Sequence, residues 1–280
     1  MIDKKRSKNW FRFSIRGLLI LVTLVAFAAI VMGQNSGRVK RQQRQIDKLQ
    51  RKGYRVSVAT FAEARESVPS TWLPTWDNES PSELICHMTV MGDFETLKEL
   101  CLTEFGSIKE LHLLSDSLNS IEGLQSFSTL ETFEFSSNEL TECDLGPLAN
   151  SNIERLSLDC SKIGTFEFLD SMPHLKVLIL GLKELRVAKF ENATQLRDLR
   201  FIDCEQLHSI NGLPDSLKYL SVRDCPMLVA IEGLDLLPKF EDMTIKDCPE
   251  LKGEQLEKIK AIFRNHTVEE NENVGYWGYK

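Results

Sequence analysis

The first 55 residues hold only two acidic side chains, Asp3 and Asp47, and positions 17–37 hold no charge of either sign. Nowhere does the chain contain a Cys-x-x-Cys, His-Glu-x-x-His, Gly-x-Ser-x-Gly or phosphate-loop pattern. These absences remove the metal, hydrolase and nucleotide chemistries that short motifs announce. Catalysis needs a nucleophile, a base and an oxyanion site in mutual reach. No such set stands at recognisable spacing, so no catalytic residue, cofactor or small-molecule substrate is expected. Seven cysteines in 280 residues are too few and too scattered for a small disulfide scaffold. With 42% apolar and 27% charged residues the composition is globular, which excludes a wholly disordered, collagenous or multi-span membrane protein.

What is present is a charge split. Residues 1–55 carry 14 Lys/Arg and a net charge of +12, while residues 56–280 carry −19, giving −7 overall. The acidic balance argues against nucleic acid as a partner, and the basic head marks a membrane-facing segment. Residues 17–37 read as a single transmembrane helix after a basic tail at 1–16, because about 20 helical residues span a bilayer core of about 30 Å. Trp10 and Phe11 stand where an interfacial anchor would lie. The competing reading is a secretory signal cleaved at Ala26-Phe27-Ala28, giving a secreted or periplasmic protein released near Ala28. The long apolar run and the basic stretch after it favour a retained anchor. Lys and Arg on both flanks nearly cancel the positive-inside rule, which leaves open which side of the membrane carries the body. Residues 38–55 read as a basic juxtamembrane helix. Val39, Ile46 and Leu49 fall at heptad-like spacing, but a plain solvated helix ending at Gly53 is preferred.

From residue 85 one pattern recurs: apolar-x-x-apolar-x-apolar. It starts at Ile85, Ile108, Leu130, Ile153, Leu175, Leu196, Leu217 and Phe240, with separations of 23, 22, 23, 22, 21, 21 and 23 residues. Eight positions after each start stand Asp93, Asp116, Asn138, Ser161, Lys183, Cys204, Cys225 and Cys248. Apolar residues follow, from Leu118 through Leu251, and an Ile-x-Gly-Leu element recurs at 121, 210 and 231. On these residues the chain resembles the leucine-rich-repeat family, whose consensus is L-x-x-L-x-L-x-x-N/C-x-L. The layout is similar to bacterial repeat proteins with a single N-terminal anchor. The resemblance covers residues 85–252 and implies an α/β solenoid of about eight repeats with a parallel concave sheet. Lys183 and the two Asp residues depart from the consensus, which implies looser turns there. Residues 56–84 are expected to cap the first repeat. A helix at 253–264, with Leu256, Ile259 and Phe263 inward, is expected to cap the last, before a loosely ordered tail at 265–280. Asp93–Leu102 reads as one helix with Leu97, Leu100 and Cys101 on its inner face.

Cys204, Cys225 and Cys248 share one offset and read as a buried ladder, with no metal or redox role. Strand alternation puts His87, Glu110, His112 and Glu134 on the concave face; a metal site there is weighed against solvated polar residues, and the solvated reading is preferred. The same alternation brings out an apolar group, Val177, Ile179, Ile202 and Tyr219, rimmed by Arg155, Arg200 and Arg223. An apolar centre with a charged rim has the layout of a protein interface; the bland reading is one drifted repeat with a small harmless patch. The expectation is a single-pass membrane protein, not an enzyme, whose solenoid binds a protein or peptide. The substrate arm of an enzyme is a third reading, for which no catalytic domain has room.

Overall fold

The computed structural model of the chain describes residues 37–60, 85–164, 169, 171–190, 193–262, 269–271 and 274–278. The apolar run before residue 37, and with it the expected anchor, lies outside them, as do residues 61–84 of the expected N-terminal cap. Among the described residues no helix is long and apolar enough to cross a membrane.

Each repeat motif forms a short strand because its residues alternate. In β4 (Thr132–Ser137) Phe133, Phe135 and Ser137 are buried, while Thr132, Glu134 and Ser136 face the other way. The same alternation holds in β2 (Ile85–Met91), β3 (Glu110–Leu114), β5 (Arg155–Cys160), β6 (Val177–Leu182), β8 (Asp198–Ile202), β10 (Tyr219–Arg223) and β12 (Asp242–Lys246). These strands pair in parallel in one sheet, in chain order. The register is in phase: Leu111, Phe133, Leu156, Leu178, Leu199, Leu220 and Met243 stand side by side and are all buried. Each such side chain contributes about 1.5–3 kcal/mol on burial. At the outer strand edge Lys109 pairs with Glu131, Lys176 with Glu154 and Lys218 with Glu241, each across neighbouring strands. Such partly exposed pairs set register more than stability.

The convex side is made of single turns and a second small sheet, β7 (Val187–Lys189), β9 (Ser209–Asn211) and β11 (Ala230–Ile231). The helix expected over Asp93–Leu102 is two 3-10 turns, Leu97–Leu100 and Leu102–Phe105, broken at Cys101 in the left-handed region. Leu97 and Leu100 are buried as expected; Cys101 is exposed.

The inward turn comes in two forms. In the second to fifth repeats the buried turn residue is Ser115, Ser137, Cys160 or Leu182, seven positions after the start, so Asp116, Asn138 and Lys183 lie exposed beside it and Ser161 half-exposed. In the last three repeats Asp203, Asp224 and Asp247 take positive φ near 55° and insert one residue. That insertion carries Cys204 and Cys225 into the core and Cys248 to its half-buried edge. The common offset expected for all eight repeats is therefore off by one in the earlier ones. The change falls between β6 and β8, where pairing stops at Leu180–Phe201. The Cys204 thiol fills the gap: it accepts from the Leu182 amide at 3.5 Å and donates to the Leu180 carbonyl at 3.3 Å. Backbone groups that a lost rung would leave unpaired are thereby satisfied.

The ends of the stack meet expectation only in part. The helix at 37–51 is packed on the solenoid, not solvated all round. Gln42, Ile46 and Leu49, at helical spacing, are buried. Gln45 Nε2 donates to the Leu100 carbonyl at 2.9 Å, and Gln42 Oε1 accepts from the Ile85 amide at 3.4 Å. The chain then turns at Gly53 and runs back as β1 (Arg55–Thr60), antiparallel to β2. Tyr54 lies edge-on to Phe94, and Gly92 makes room for it: a Cβ there would stand 2.8 Å from the Tyr54 ring. At the other end the helix Glu254–Ile262 buries Ile259, with Leu256 packed beside it. Of the tail expected to be loosely ordered, the described residues form two strands: β14 (Val274–Gly278) pairs antiparallel with β12, and β13 (Glu269–Asn271) pairs antiparallel with β14. Antiparallel strands thus close both edges of the parallel sheet.

Leu49→Ala is expected to cost about 2–5 kcal/mol in urea unfolding, as for other buried leucines. A loss below about 0.5 kcal/mol would show that the helix is no part of the folded stack.

Candidate functional site

Because the apolar rows face inward, the alternate residues form three rows across the concave face. The first row runs His87, Glu110, Thr132, Arg155, Val177, Asp198, Tyr219, Asp242. The second runs Thr89, His112, Glu134, Ser157, Ile179, Arg200, Ser221, Thr244. The third holds Met91, Leu114, Ser136, Asp159 and Gly181 over the first half, and Ile202, Arg223 and Lys246 over the second.

All seven residues expected to form an interface lie on this face, but the structure divides them. Arg200, Ile202, Tyr219 and Arg223 line a groove of about 600 Å³ together with Asp198, Ser221, Asp242 and Thr244. Val177 and Ile179 sit half-buried on β6, outside that lining, and Arg155 is exposed one strand further on β5. Between the two apolar pairs stands an ion pair. Arg200 Nε and Nη2 donate to Asp198 Oδ1 and Oδ2 at 2.9 and 2.6 Å, and this pairing holds the guanidinium pKa above its usual value. Arg200 is therefore a fixed, neutralised part of the groove floor rather than a free rim charge. Ile202 is 37% and Tyr219 41% exposed, so the groove keeps apolar surface open to solvent. The Tyr219 hydroxyl donates to Glu241 Oε2 at 2.6 Å, and that carboxylate raises the phenol pKa. The ring is thus held in one orientation. One carboxylate oxygen of Asp242 is buried in the groove wall without a hydrogen-bond partner among the described residues.

A second feature lies at the N-terminal end. His87 Nδ1 is 3.0 Å from Glu110 Oε2, and His112 Nδ1 is 3.7 Å from Glu134 Oε2. The two imidazole rings meet edge to face with centroids 4.8 Å apart. The His87 hydrogen bond, working against burial, holds the Glu110 carboxyl below the usual carboxylate range. Burial lowers the His112 pKa, with Glu134 opposing. The sequence marks these residues as solvated polar side chains; in the structure His87, Glu110 and His112 are half-buried and in mutual reach. Nearby, Met91 and Leu114 are exposed beside a hollow of about 680 Å³ that reaches Gly53 and Arg55 of the N-terminal cap.

Cys160, Cys204 and Cys225 are buried in the core. Burial pushes the Cys160 thiol up to about 12, and the hydrogen bond shared with Cys204 pushes Cys225 to about 12 while lowering Cys204. The thiolate is the reactive form, so the raised thiols of Cys160 and Cys225 are inert, and Cys204 is kept from reagents by its complete burial. Alkylation of the folded chain at pH 8 is expected to modify Cys101 and to spare Cys160, Cys204 and Cys225 until denaturant is added. Mass mapping that finds Cys225 modified in the folded state would contradict the buried ladder.

No family model and no curated protein matches the chain. Among solved structures it is similar to an internalin from Listeria monocytogenes, at 15% identity over 58% of this chain and 56% of that one, with a TM-score of 0.35. The chain thus spans little more than half of the internalin's length, and a likeness of that size adds no weight to the fold. What carries the architecture is internal: among the described residues, eight parallel strands of one repeated sequence, stacked in phase on two buried apolar rows, make an α/β repeat solenoid.

Proposed function

We propose that the chain is a membrane-tethered, non-enzymatic module that binds a protein or peptide through its concave sheet. The observation that carries the reading is the groove across β8, β10 and β12. There Ile202 and Tyr219 stay exposed among Arg200, Arg223, Asp198 and Asp242. Apolar anchors ringed by paired and unpaired charge are what protein interfaces present. Val177, Ile179 and Arg155 extend the same face on the strands next to it. Rigid strands preorganise such a surface and limit the entropy lost on binding.

The tether rests on the uncharged run at 17–37, flanked by basic residues on both sides. The helical residues 37–51 follow that run directly in the sequence and pack on the first repeat. Their exposed Lys40, Arg44, Lys48 and Arg51 suit an anionic lipid surface, at about 1 kcal/mol each near the headgroups.

A photo-crosslinking residue at position 202 is expected to capture a partner in cells that express the chain, and one at Leu236 on the convex side is not. Tyr219→Asp should reduce the position-202 adduct at least tenfold while leaving the unfolding midpoint unchanged. Equal capture from 236, or an adduct indifferent to Tyr219→Asp, would contradict the groove. For the tether, alkaline carbonate is expected to leave the chain in the membrane pellet at its full mass. Release with loss of the first 28 residues or so would establish the cleaved, secreted alternative.

A further inference from the structure

We propose that His87, Glu110 and His112 bind a divalent transition-metal ion of the zinc class on the concave face. One ligand atom from each of the three lies within 4.8 Å of the others, and His87 Nδ1 is already 3.0 Å from Glu110 Oε2. Bonds of 2.0–2.2 Å in a tetrahedral site put neighbouring donor atoms about 3.3 Å apart, so side-chain torsions alone would close the set.

The backbone holds these donors in place. His87 on β2 faces Glu110 on β3 across the parallel ladder, and His112 stands two residues along β3 on the same face. His112 faces Glu134 on β4, whose Oε2 lies 3.7 Å from His112 Nδ1. Glu134 thus stands beside the set, and this carboxylate, water or a group from outside completes the coordination. His87 carries the orienting contact that metal-bound imidazoles need: its Nε2 is 3.2 Å from Thr89 Oγ1. With Nδ1 on the ion, Nε2–H donates to that hydroxyl. Two imidazoles and a carboxylate select zinc, nickel, copper or cobalt over magnesium and calcium, which prefer all-oxygen cages. The two carboxylates also supply the negative charge a dication needs. The site stands on β2 to β4, apart from the groove on β8 to β12, and does not depend on the partner-binding reading.

The test uses the full chain in detergent, made without a histidine tag and stripped with chelator. Calorimetric titration with Zn²⁺ is expected to show one equivalent bound. His87→Ala and His112→Ala should each weaken it at least tenfold, and Thr89→Val, which removes only the orienting hydroxyl, about tenfold. His208→Ala, in a distant turn, should leave the titration unchanged. Co²⁺ in place of Zn²⁺ should give the visible absorption of a four-coordinate ion, and His112→Asn should abolish it. Unfolding midpoints of the stripped variants check that each is folded; His87→Gln replaces His87→Ala if the latter is not. The absence of saturable Zn²⁺ binding by the native chain, or a binding curve that His112→Asn leaves unchanged, would overturn the proposal.

Discussion

No repeat in this chain can bury its own apolar residues. A strand such as β4 offers Phe133 and Phe135 to one side, and the turns within its own 22 or so residues cover them only in part; the strands and turns before and after supply the rest. Burial is therefore shared along the whole stack, and each repeat is stable because its neighbours are. The in-phase register follows from this constraint. A one-residue slip between two strands would turn an entire inward row to solvent. The charge pairs Lys109–Glu131, Glu154–Lys176 and Lys218–Glu241 penalise the same slip at the strand edge.

A shared core must end somewhere, and the two ends are where this chain spends its non-repeat sequence. At the N-terminal end Gln42, Ile46 and Leu49 cover the first repeat, Tyr54 closes on Phe94, and β1 occupies the open sheet edge. At the C-terminal end the helix Glu254–Ile262 and the strands β14 and β13 do the same. The basic stem is thereby the cap of the first repeat.

The repeat was legible because its signal is redundant. Eight copies of one spacing place the inward rows, and alternation then places the outward ones, so the concave residues follow from the sequence alone. Three features escaped that reading for physical reasons. The burial of the stem helix depends on contacts such as Gln45 with Leu100, 55 residues apart, and only Ile46 and Leu49 hint at it locally. The change of turn form depends on Asp203, Asp224 and Asp247 entering the left-handed region, which Asp tolerates but does not announce. A counting sign did exist: the apolar residue after the turn comes ten positions after the start at Leu185 and eleven at Leu207. The terminal strand β14 is held by main-chain pairing to β12, which leaves little trace in side-chain pattern. At the candidate sites, sequence placed His87, His112, Ile202 and Tyr219 on the right face. It could not show that Asp198 neutralises Arg200, or that the two imidazoles meet.

The central claim is that one continuous stack begins at the basic stem, so that stem helix, N-terminal cap strand and concave sheet form a single folded body. Native-state hydrogen exchange resolved to single amides tests this most directly. The account predicts that the amides of Ile46 and Leu49 are protected to nearly the same degree as those of Leu111, Leu156 and Leu199, and lose protection together with the first repeats under mild denaturant. Stem amides that exchange freely while the strands stay protected would contradict it.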